Sequence, residues 1–369
     1  MLDKYIVLNN GVKIPQFGLG TWFIDDDKAA DAVKAAAEMG YRHIDTAQAY
    51  GNERGVGEGV RNCGIPREEM FVVSKVAAEH KTYEEAMEGI NETLEKMGLD
   101  YLDMMIIHSP QPWVKVNQSE DRYVEGNRAA WKALEDAYKA GKLKAIGVSN
   151  FQIGDIESLL ETAEIKPMVN QILLHISNTP MELVEYCQKN GIAVEAYSPI
   201  AHGEILNQPE IKAMADKYGV TVPQLCIRYT LQLGTITLPK TGNPDHMKGN
   251  AEVDFEINAE DMEILKNFKK IESYGESGIF RYTAERRKED WQMEEKKNAW
   301  GRTSSIPINE KYMLSIREAS DYFGIGIKNM RRLAENNTNK FALYFGNRYL
   351  IVRHLFEAYI MECLNNGGM

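Results

Sequence analysis

Residues 40–53 bring together an acid and a phenol at a spacing that suits proton transfer. A short strand-like stretch, His43 and Ile44, is followed directly by Asp45, and Tyr50 comes five residues later. The pattern predicts a buried strand that releases its last residue into a loop. The carboxylate and the phenol can then face one cavity, as in an active site.

Side chains able to do chemistry also follow the other strand-like runs. In chain order they are Lys75, His108, Ser149, Asn150, Gln171, Tyr197 and Lys240. Each one alone is more typical of a structural residue, because a lysine at a strand end usually makes an ion pair and a lone histidine usually satisfies a local hydrogen bond. Together with Asp45 and Tyr50 they indicate one proton-transfer site at the carboxyl ends of the strands.

Lys75 is expected to tune the acidity of Tyr50. A phenol has an ordinary pKa of about 10 and is a poor acid at neutral pH, whereas a nearby ammonium group favours the phenolate. Asp45 would hold Lys75 charged and in position. His108 would hydrogen-bond the oxygen that receives the proton.

The sequence lacks the patterns of two common alternatives. We find no Ser–His–Asp arrangement and no histidines and acids at metal-ligand spacing. Four cysteines, Cys63, Cys187, Cys226 and Cys363, show no Cys-x-x-Cys pairing, which argues against a disulfide framework or a zinc site. A phenolic acid without a nucleophile or a metal suits carbonyl reduction, in which a cofactor delivers the hydride.

Apolar runs alternate with helical patterns along most of the chain. Eight candidate strands occupy residues 18–20, 42–44, 71–74, 103–107, 144–148, 168–170, 192–196 and 235–238. Helical patterns at residues 27–39, 82–97, 128–140 and 180–190 each end at a glycine, which supplies the positive φ that stops a helix. Eight strands joined by helical crossovers favour an α/β fold closed into a (β/α)₈ TIM barrel.

Two further patterns bear on the architecture. Apolar runs at residues 5–8 and 12–14 flank an Asn-Gly turn and predict an N-terminal β-hairpin. The competing fold, an open doubly wound sheet, needs a glycine fingerprint after its first strand. Residues 55–60 lack the third glycine position and lie at the start of a helical pattern, so the barrel is favoured.

The composition is that of a folded protein with a large core, at 369 residues, 44% apolar and 26% charged. Its net charge of −11 is unevenly distributed along the chain, since residues 303–369 carry 8 basic and 6 acidic side chains. The sequence has no leader-like amino terminus and no apolar stretch of about 20 residues. We therefore expect a cytoplasmic protein with no membrane partner, either a monomer or a weak oligomer.

Three motifs resemble the aldo-keto reductase superfamily, and the similarity runs over about residues 11–275. They are residues 40–53, residues 144–151, and residues 238–241 with Asn250 downstream. The resemblance implies a barrel with a hairpin cap and NAD(P)H-dependent reduction of a carbonyl. It also implies that Tyr50 is the general acid of a tetrad completed by Lys75, Asp45 and His108.

The resemblance assigns cofactor contacts from the nicotinamide to the adenine. For the nicotinamide these are Ser149, Asn150, Gln171 and Tyr197, the last stacked on the ring. For the pyrophosphate and the adenosine they are Ser198, Leu206, Lys240, Thr241 and Asn250. A lysine beside a hydroxyl suits the adenosine 2′-phosphate, so we expect NADPH as the cofactor.

One position departs from the pattern of the family. His246 stands five residues after Thr241, where the family usually has an arginine on the adenine and the 2′-phosphate, and Gly249 replaces a common glutamate. A histidine is mostly neutral at pH 7 and offers no bidentate fork. We therefore expect weaker NADPH binding than is usual in the family, with NADH partly tolerated.

Trp22, Trp113 and residues 111–126 are the expected substrate contacts. Aromatic walls around a polar oxygen site suit a small aldehyde or ketone, such as a keto sugar or a dicarbonyl. The alternative, that these tryptophans are ordinary core residues, stays open at this point.

A second domain is expected at residues 306–369, after a first domain at residues 1–275 and a charged linker at residues 276–305. Its order of helix, turn, helix and hairpin is typical of a small winged-helix (α+β) domain. Residues 314–323 and 346–348 resemble excisionases of conjugative transposons. The resemblance implies DNA as a partner and a bacterial mobile element as the origin of this domain.

Four basic residues are the expected DNA contacts. Lys328, Arg331 and Arg332 share one helical face that would enter a major groove, and Arg348 at the hairpin tip would meet phosphate. The simpler alternative is a solvated basic face, and a net charge of +2 over residues 303–369 argues against high affinity.

Two functions of different classes therefore compete. The first is an enzyme that reduces a small carbonyl compound. The second is a DNA-binding accessory factor of a mobile element, with the barrel as a carrier or a redox sensor. The complete tetrad favours the enzyme, because a sensor need not keep all four proton-transfer residues.

Overall fold

The computed structural model describes residues 1–116, 119–271, 313–323, 325–338, 340–345, 348–352, 355–356 and 359–360. The chain divides into two compact units, with the division between Ala284 and Glu285. The predicted charged linker, residues 276–305, lies outside the described residues. Of the helices that the structure describes, none has the length and apolar character needed to cross a membrane.

An antiparallel hairpin opens the chain, as predicted. Strands β1 (Tyr5–Val7) and β2 (Lys13–Pro15) pair with Ile6 opposite Ile14. The turn between them includes Gly11 at a φ of 87°, a conformation that glycine adopts without steric cost.

Eight parallel strands form the sheet that carries the first unit. They are β3 (Leu19–Gly20), β4 (His43–Asp45), β5 (Phe71–Val76), β6 (Met104–Ile107), β7 (Ile146–Ser149), β8 (Val169–Leu173), β9 (Ala193–Tyr197) and β10 (Ile236–Leu238). Sequential strands are neighbours from β3 to β10. Bridges from Phe17 to Thr237 and from Gly20 to Lys240 join the two ends, so the sheet closes into the predicted barrel.

Helices connect and surround these strands. They are α1 (Asp26–Glu38), α2 (Glu53–Asn62), α3 (Tyr83–Met97), α4 (Val124–Lys139), α5 (Ile153–Leu160), α6 (Met181–Lys189), α7 (Pro209–Tyr218), α8 (Val222–Gln232), α9 (Pro244–Ala251) and α10 (Ala259–Lys266). Helix α3 shows the expected end signals: Thr82 and Glu85 form a capping box, and Gly98 ends the helix at a φ of 62°. Short 3₁₀ helices lie at Gln48–Tyr50, Arg67–Glu69, Trp113–Lys115 and Ala201–Asn207.

The glycine run of α2 serves helix packing. A Cβ added to Gly55 would lie 2.0 Å from the carbonyl oxygen of Asp26, and one added to Gly57 would lie 2.2 Å from that of Met97. The missing side chains let α2 approach its neighbours closely. This role agrees with the rejection of a dinucleotide fingerprint at these residues.

The second unit is a small α+β fold with its own core. It contains β11 (Met313–Ser315), α11 (Ile316–Phe323), α12 (Ile327–Asn336), β12 (Ala342–Phe345) and β13 (Arg348–Val352). The strands form an antiparallel sheet in the order β11, β13, β12. The core includes Leu314, Met330, Phe341, Ile351 and Phe356. The predicted order of two helices and a hairpin is present, and β11 is an additional strand.

Candidate active site

Asp45, Lys75 and Tyr50 meet at the carboxyl ends of β4 and β5. The Nζ of Lys75 donates to Oδ1 of Asp45 at 2.6 Å, to the carbonyl oxygen of Thr46 at 2.8 Å and to the hydroxyl of Tyr50 at 3.2 Å. Lys75 is fully buried and Asp45 nearly so. All three ammonium protons are therefore used, and one of them points at the phenol.

The loop after β4 is held so that Tyr50 faces Lys75. Tyr50 ends a 3₁₀ helix, and Gly51 follows it at a φ of 69°. Asn52 is buried, and its amide donates to the carbonyl oxygens of Thr21 and Ile24, both at 2.9 Å. These bonds tie the loop to the segment after β3, which explains why an asparagine follows the tyrosine so closely.

Burial dominates the acidity of Tyr50. It raises the pKa of the phenol, and the charge of Lys75 offsets only part of that rise. Lys75 acts on the phenol in the expected direction, but burial has the larger effect on its pKa. Burial lowers the pKa of Lys75, but Asp45 and Tyr50 together raise it above the ordinary value. A charged lysine beside a protonated phenol suits a proton donor.

His108 lies directly after β6 and faces the same phenol. Its ring is perpendicular to those of Tyr50 and Trp113, with centroid distances of 5.6 Å and 4.7 Å. Burial, followed by the charge of Lys75, lowers the pKa of His108 well below its ordinary value. The imidazole is therefore neutral, and its Nδ1 has no hydrogen-bond partner among the described residues.

The four residues expected at the nicotinamide lie in one hydrogen-bonded group beside this site. Ser149 donates to the carbonyl oxygen of Gln171 at 2.9 Å, and the hydroxyl of Tyr197 donates to Oδ1 of Asn150 at 2.8 Å. The amide of Asn150 also donates to the carbonyl oxygen of His108 at 3.0 Å. The group is thus joined directly to the loop that carries His108.

The residues expected at the pyrophosphate and the adenosine follow β9 and β10. Ser198 is half-buried at a φ of 52°, and Leu206 is exposed within the 3₁₀ helix after it. Lys240 and Thr241 follow β10. The next set, His246, Gly249 and Asn250, lies on α9, with His246 exposed and Asn250 buried.

Trp22 and Trp113 are half-buried, which distinguishes them from core residues such as Trp131. The ring of Trp22 lies 6.4 Å from that of Tyr50 and 5.4 Å from that of His202. Trp113 contacts His108, as described above. Both tryptophans therefore border the site, although residues 117 and 118 of the expected substrate segment lie outside the described part.

Sequence reasoning missed two residues below the site, Glu195 and His43. Glu195 lies in β9, and its Oε2 accepts from Nε2 of Gln171 at 2.6 Å. The same Nε2 donates to Oδ2 of Asp45 at 2.9 Å. An acid inside an otherwise apolar strand, two residues before Tyr197, was the available signal.

The expected DNA contacts lie in the second unit. Lys328, Arg331 and Arg332 are exposed on α12 at helical spacings of three and four. Arg348 begins β13, but its side chain and the turn at residues 346–347 lie outside the described part.

Comparison with known proteins finds two families in the chain. The profile of the Aldo/keto reductase family matches residues 15–270, and that of the excisionase from transposon Tn916 matches residues 301–363. Glyoxal reductase of Bacillus subtilis is 42% identical over 276 residues, which covers 74% of this chain and 96% of the relative. Glycerol 2-dehydrogenase (NADP(+)) of Saccharomyces cerevisiae is 37% identical over 288 residues, covering 72% and 91%.

A solved structure agrees with these matches. The aldo-keto reductase MGS-M4, from a Medee basin deep-sea metagenome library, superposes with a TM-score of 0.66 at 38% identity. The match covers 71% of this chain and 93% of that protein. The likeness therefore extends over the barrel.

Proposed function

Since the chain belongs to the aldo/keto reductase family through residues 15–270, we propose that it reduces a small aldehyde or ketone to an alcohol. Tyr50 is the proton donor, and NADPH is the hydride donor, with NADH partly tolerated. The observation that carries the proposal is the 3.2 Å contact between the buried ammonium of Lys75 and the hydroxyl of Tyr50.

The residues of the chain fit a nicotinamide cofactor. Both N–H groups of the Gln171 amide are taken by carboxyl oxygens, so its carbonyl oxygen is left to accept from a carboxamide. At the adenosine end of the expected cofactor site, burial lowers the pKa of Lys240 more than the charge of Asp25 raises it. A bound phosphate would therefore stabilise the charged form of Lys240. A dehydrogenase named for NADP(+) among the relatives supports NADPH.

When bound, the cofactor supplies a hydride to the carbonyl carbon. Tyr50 donates its proton to the carbonyl oxygen, which becomes the alcohol. The ammonium of Lys75 then lies 3.2 Å from a phenolate and stabilises the new negative charge. Asp45 keeps Lys75 charged and aimed, while the neutral ring of His108 can hydrogen-bond the substrate oxygen.

The rim of the site supports the proposed substrate class. Trp22 and Trp113 supply flat apolar walls that exclude water around one polar point, which suits a small carbonyl compound. A relative named glyoxal reductase supports a dicarbonyl as one member of that class.

Replacing Tyr50 with phenylalanine tests the proposal. General acid catalysis contributes roughly 10²- to 10⁴-fold, so we expect kcat/KM for a dicarbonyl to fall by at least about 100-fold. Cofactor binding, followed by tryptophan fluorescence, should stay within about threefold because Tyr50 is not among the expected cofactor contacts. A carbonyl panel assayed by NADPH consumption identifies the substrate to use.

Tyr41 offers a matched control for the loss of a buried hydroxyl. Its OH donates to the carbonyl oxygen of Met247 at 2.7 Å, and Tyr41 precedes the amino end of β4, whereas Tyr50 follows the carboxyl end of that strand. Tyr41→Phe should cost about 1 kcal/mol of stability and leave kcat unchanged. Activity of Tyr50→Phe equal to that of this control would refute the assignment.

We also propose that the second unit binds DNA, because residues 301–363 match the transposon excisionase and α12 exposes three basic side chains on one helix. Each phosphate contact contributes about 0.9 to the slope of log K against log salt. Replacing Lys328, Arg331 and Arg332 by alanine should therefore lower the slope by up to about 3 in gel shifts with transposon-end DNA. An unchanged slope would argue for a merely solvated face.

A further inference from the structure

Two polar atoms face each other inside the barrel. Nε2 of His43 and Oε1 of Glu195 lie 3.4 Å apart, and both side chains have no exposed surface. Neither atom has a hydrogen-bond partner among the described residues. An unpaired buried polar atom destabilises the folded protein, so the pair needs a physical explanation.

The tautomer of His43 determines whether its Nε2 can donate to Glu195. Its Nδ1 lies 3.2 Å from the carbonyl oxygen of Pro15, which can only accept, so Nδ1 carries the proton. In the neutral ring Nε2 then carries a lone pair and can only accept a hydrogen bond. If Glu195 were ionised, two lone pairs would face each other between side chains that have no exposed surface. One additional proton between the two atoms satisfies both.

The charged groups around the pair indicate which of the two residues carries that proton. Oδ2 of Asp45 shares the Gln171 amide with Glu195, and the ammonium of Lys75 lies against Asp45. An imidazolium would add a second buried cation near Lys75, whereas a neutral carboxylic acid adds no charge. Burial, followed by the charge of Asp45, raises the pKa of Glu195 to about 8. Burial lowers the pKa of His43 to about 4.

We propose that Glu195 is a positioning residue that stays protonated, donates to Nε2 of His43 and holds the amide of Gln171. Its Oε2 accepts from Gln171, whose second N–H goes to Asp45, so the amide oxygen turns toward the expected carboxamide. Because Glu195 is neutral, the carboxylate of Asp45 is balanced by Lys75. The kinetic consequences of this role rest on the proposed function, whereas the protonation of Glu195 does not.

Glutamine is the conservative replacement that separates the protonated form from the ionised form. In Glu195→Gln the amide can donate to His43 and accept from Gln171, as the neutral acid does. Glu195→Ala removes both bonds. We expect the alanine variant to lose at least about tenfold in kcat/KM, mainly through a higher KM for the cofactor, and the glutamine variant to recover most of that loss.

The pH profile distinguishes a positioning role from packing alone. Since the pKa of Glu195 is raised, the proton is held at neutral pH and lost as the pH rises through about 8. Ionisation would place a second negative charge beside Asp45 and Tyr50. The wild type should therefore lose kcat/KM above that pH, and Glu195→Gln should lack this step. Identical profiles in the two proteins would overturn the proposal.

Infrared difference spectroscopy of the full-length protein tests the protonation directly. The spectrum of the wild type minus that of Glu195→Gln should contain the carbonyl band of a protonated carboxylic acid at pH 7, and the band should vanish as the pH rises past about 8. Carboxylate bands alone at pH 7 would refute the inference, whether or not Glu195→Ala folds.

The two proposals can fail separately. A protein inactive on every carbonyl compound but with the acid band would refute the reductase and support the protonated Glu195. An active reductase without the band would do the reverse.

Discussion

Replacing Lys75 with methionine isolates the buried ion pair of the site. Methionine keeps an unbranched chain of similar volume but removes the ammonium that lies 2.6 Å from Oδ1 of Asp45. The Lys75 side chain is 0% exposed and that of Asp45 is 5% exposed, so water cannot replace the lost partner. Removing one member of a buried pair typically costs about 3–5 kcal/mol. We expect the lower half of that range, because Gln171 still donates to Oδ2.

The partner substitution predicts recovery of stability without recovery of activity. In the double variant Asp45→Asn with Lys75→Met no unpaired charge remains, so it should be more stable than Lys75→Met by roughly 2 kcal/mol or more. Both variants should lose at least about 100-fold in kcat, because nothing stabilises the phenolate of Tyr50. Stability and catalysis are thereby separated.

Urea unfolding followed by far-ultraviolet circular dichroism measures these differences, since the second unit is the same in every variant. A deficit below about 1 kcal/mol at neutral pH, or a double variant less stable than Lys75→Met, would refute the picture of a desolvated pair.

Three further changes to the chain give predictions of different kinds. His246→Arg supplies a charged fork for the 2′-phosphate and should tighten NADPH about tenfold without changing NADH, as measured by fluorescence titration; equal gains for both would contradict the assignment. Gly57→Ala should destabilise by about 1–3 kcal/mol, because its Cβ would lie 2.2 Å from the backbone oxygen of Met97, while Gly154→Ala, with open space, should not destabilise in the same urea assay. Deleting residues 303–369 should leave kcat/KM within about twofold, and a tenfold fall would show that the second unit assists catalysis.

The sequence predicted the architecture because the relevant signals are local. Apolar runs and glycine stops located all eight barrel strands to within three residues at each end. Helix α4 begins at Val124 rather than Arg128, and the early turn depends on Asn127, whose amide bonds the distant carbonyl oxygen of Pro110. Strand β11 was missed because its pairing partner, β13, lies far along the chain.

Contacts between residues far apart in the sequence also explain which site residues were missed. The sequence predicted that Asp45, Lys75, Tyr50 and His108 lie together, because each is at the end of a predicted strand or in the loop after it. Glu195 and His43 lie within strands, and they become neighbours only when β9 and β4 face each other across the closed barrel. A charged residue inside a strand signals a partner but does not identify it.

The net acidity of Tyr50 shows why pairwise reasoning from sequence stops short. Pairing with Lys75 correctly predicts that the ammonium acts to lower the pKa of the phenol, but burial raises that pKa and is the larger effect. A reductase benefits when burial affects the pKa of its proton donor more than the neighbouring charge does. In the proposed mechanism the phenol keeps its proton until the substrate oxygen becomes basic, and the buried ammonium then stabilises the anion in surroundings where a charge interaction is strong. The proposal therefore predicts that activity depends on burying Tyr50 together with Lys75, so a variant that admits water to the pair should lose activity even with both residues intact.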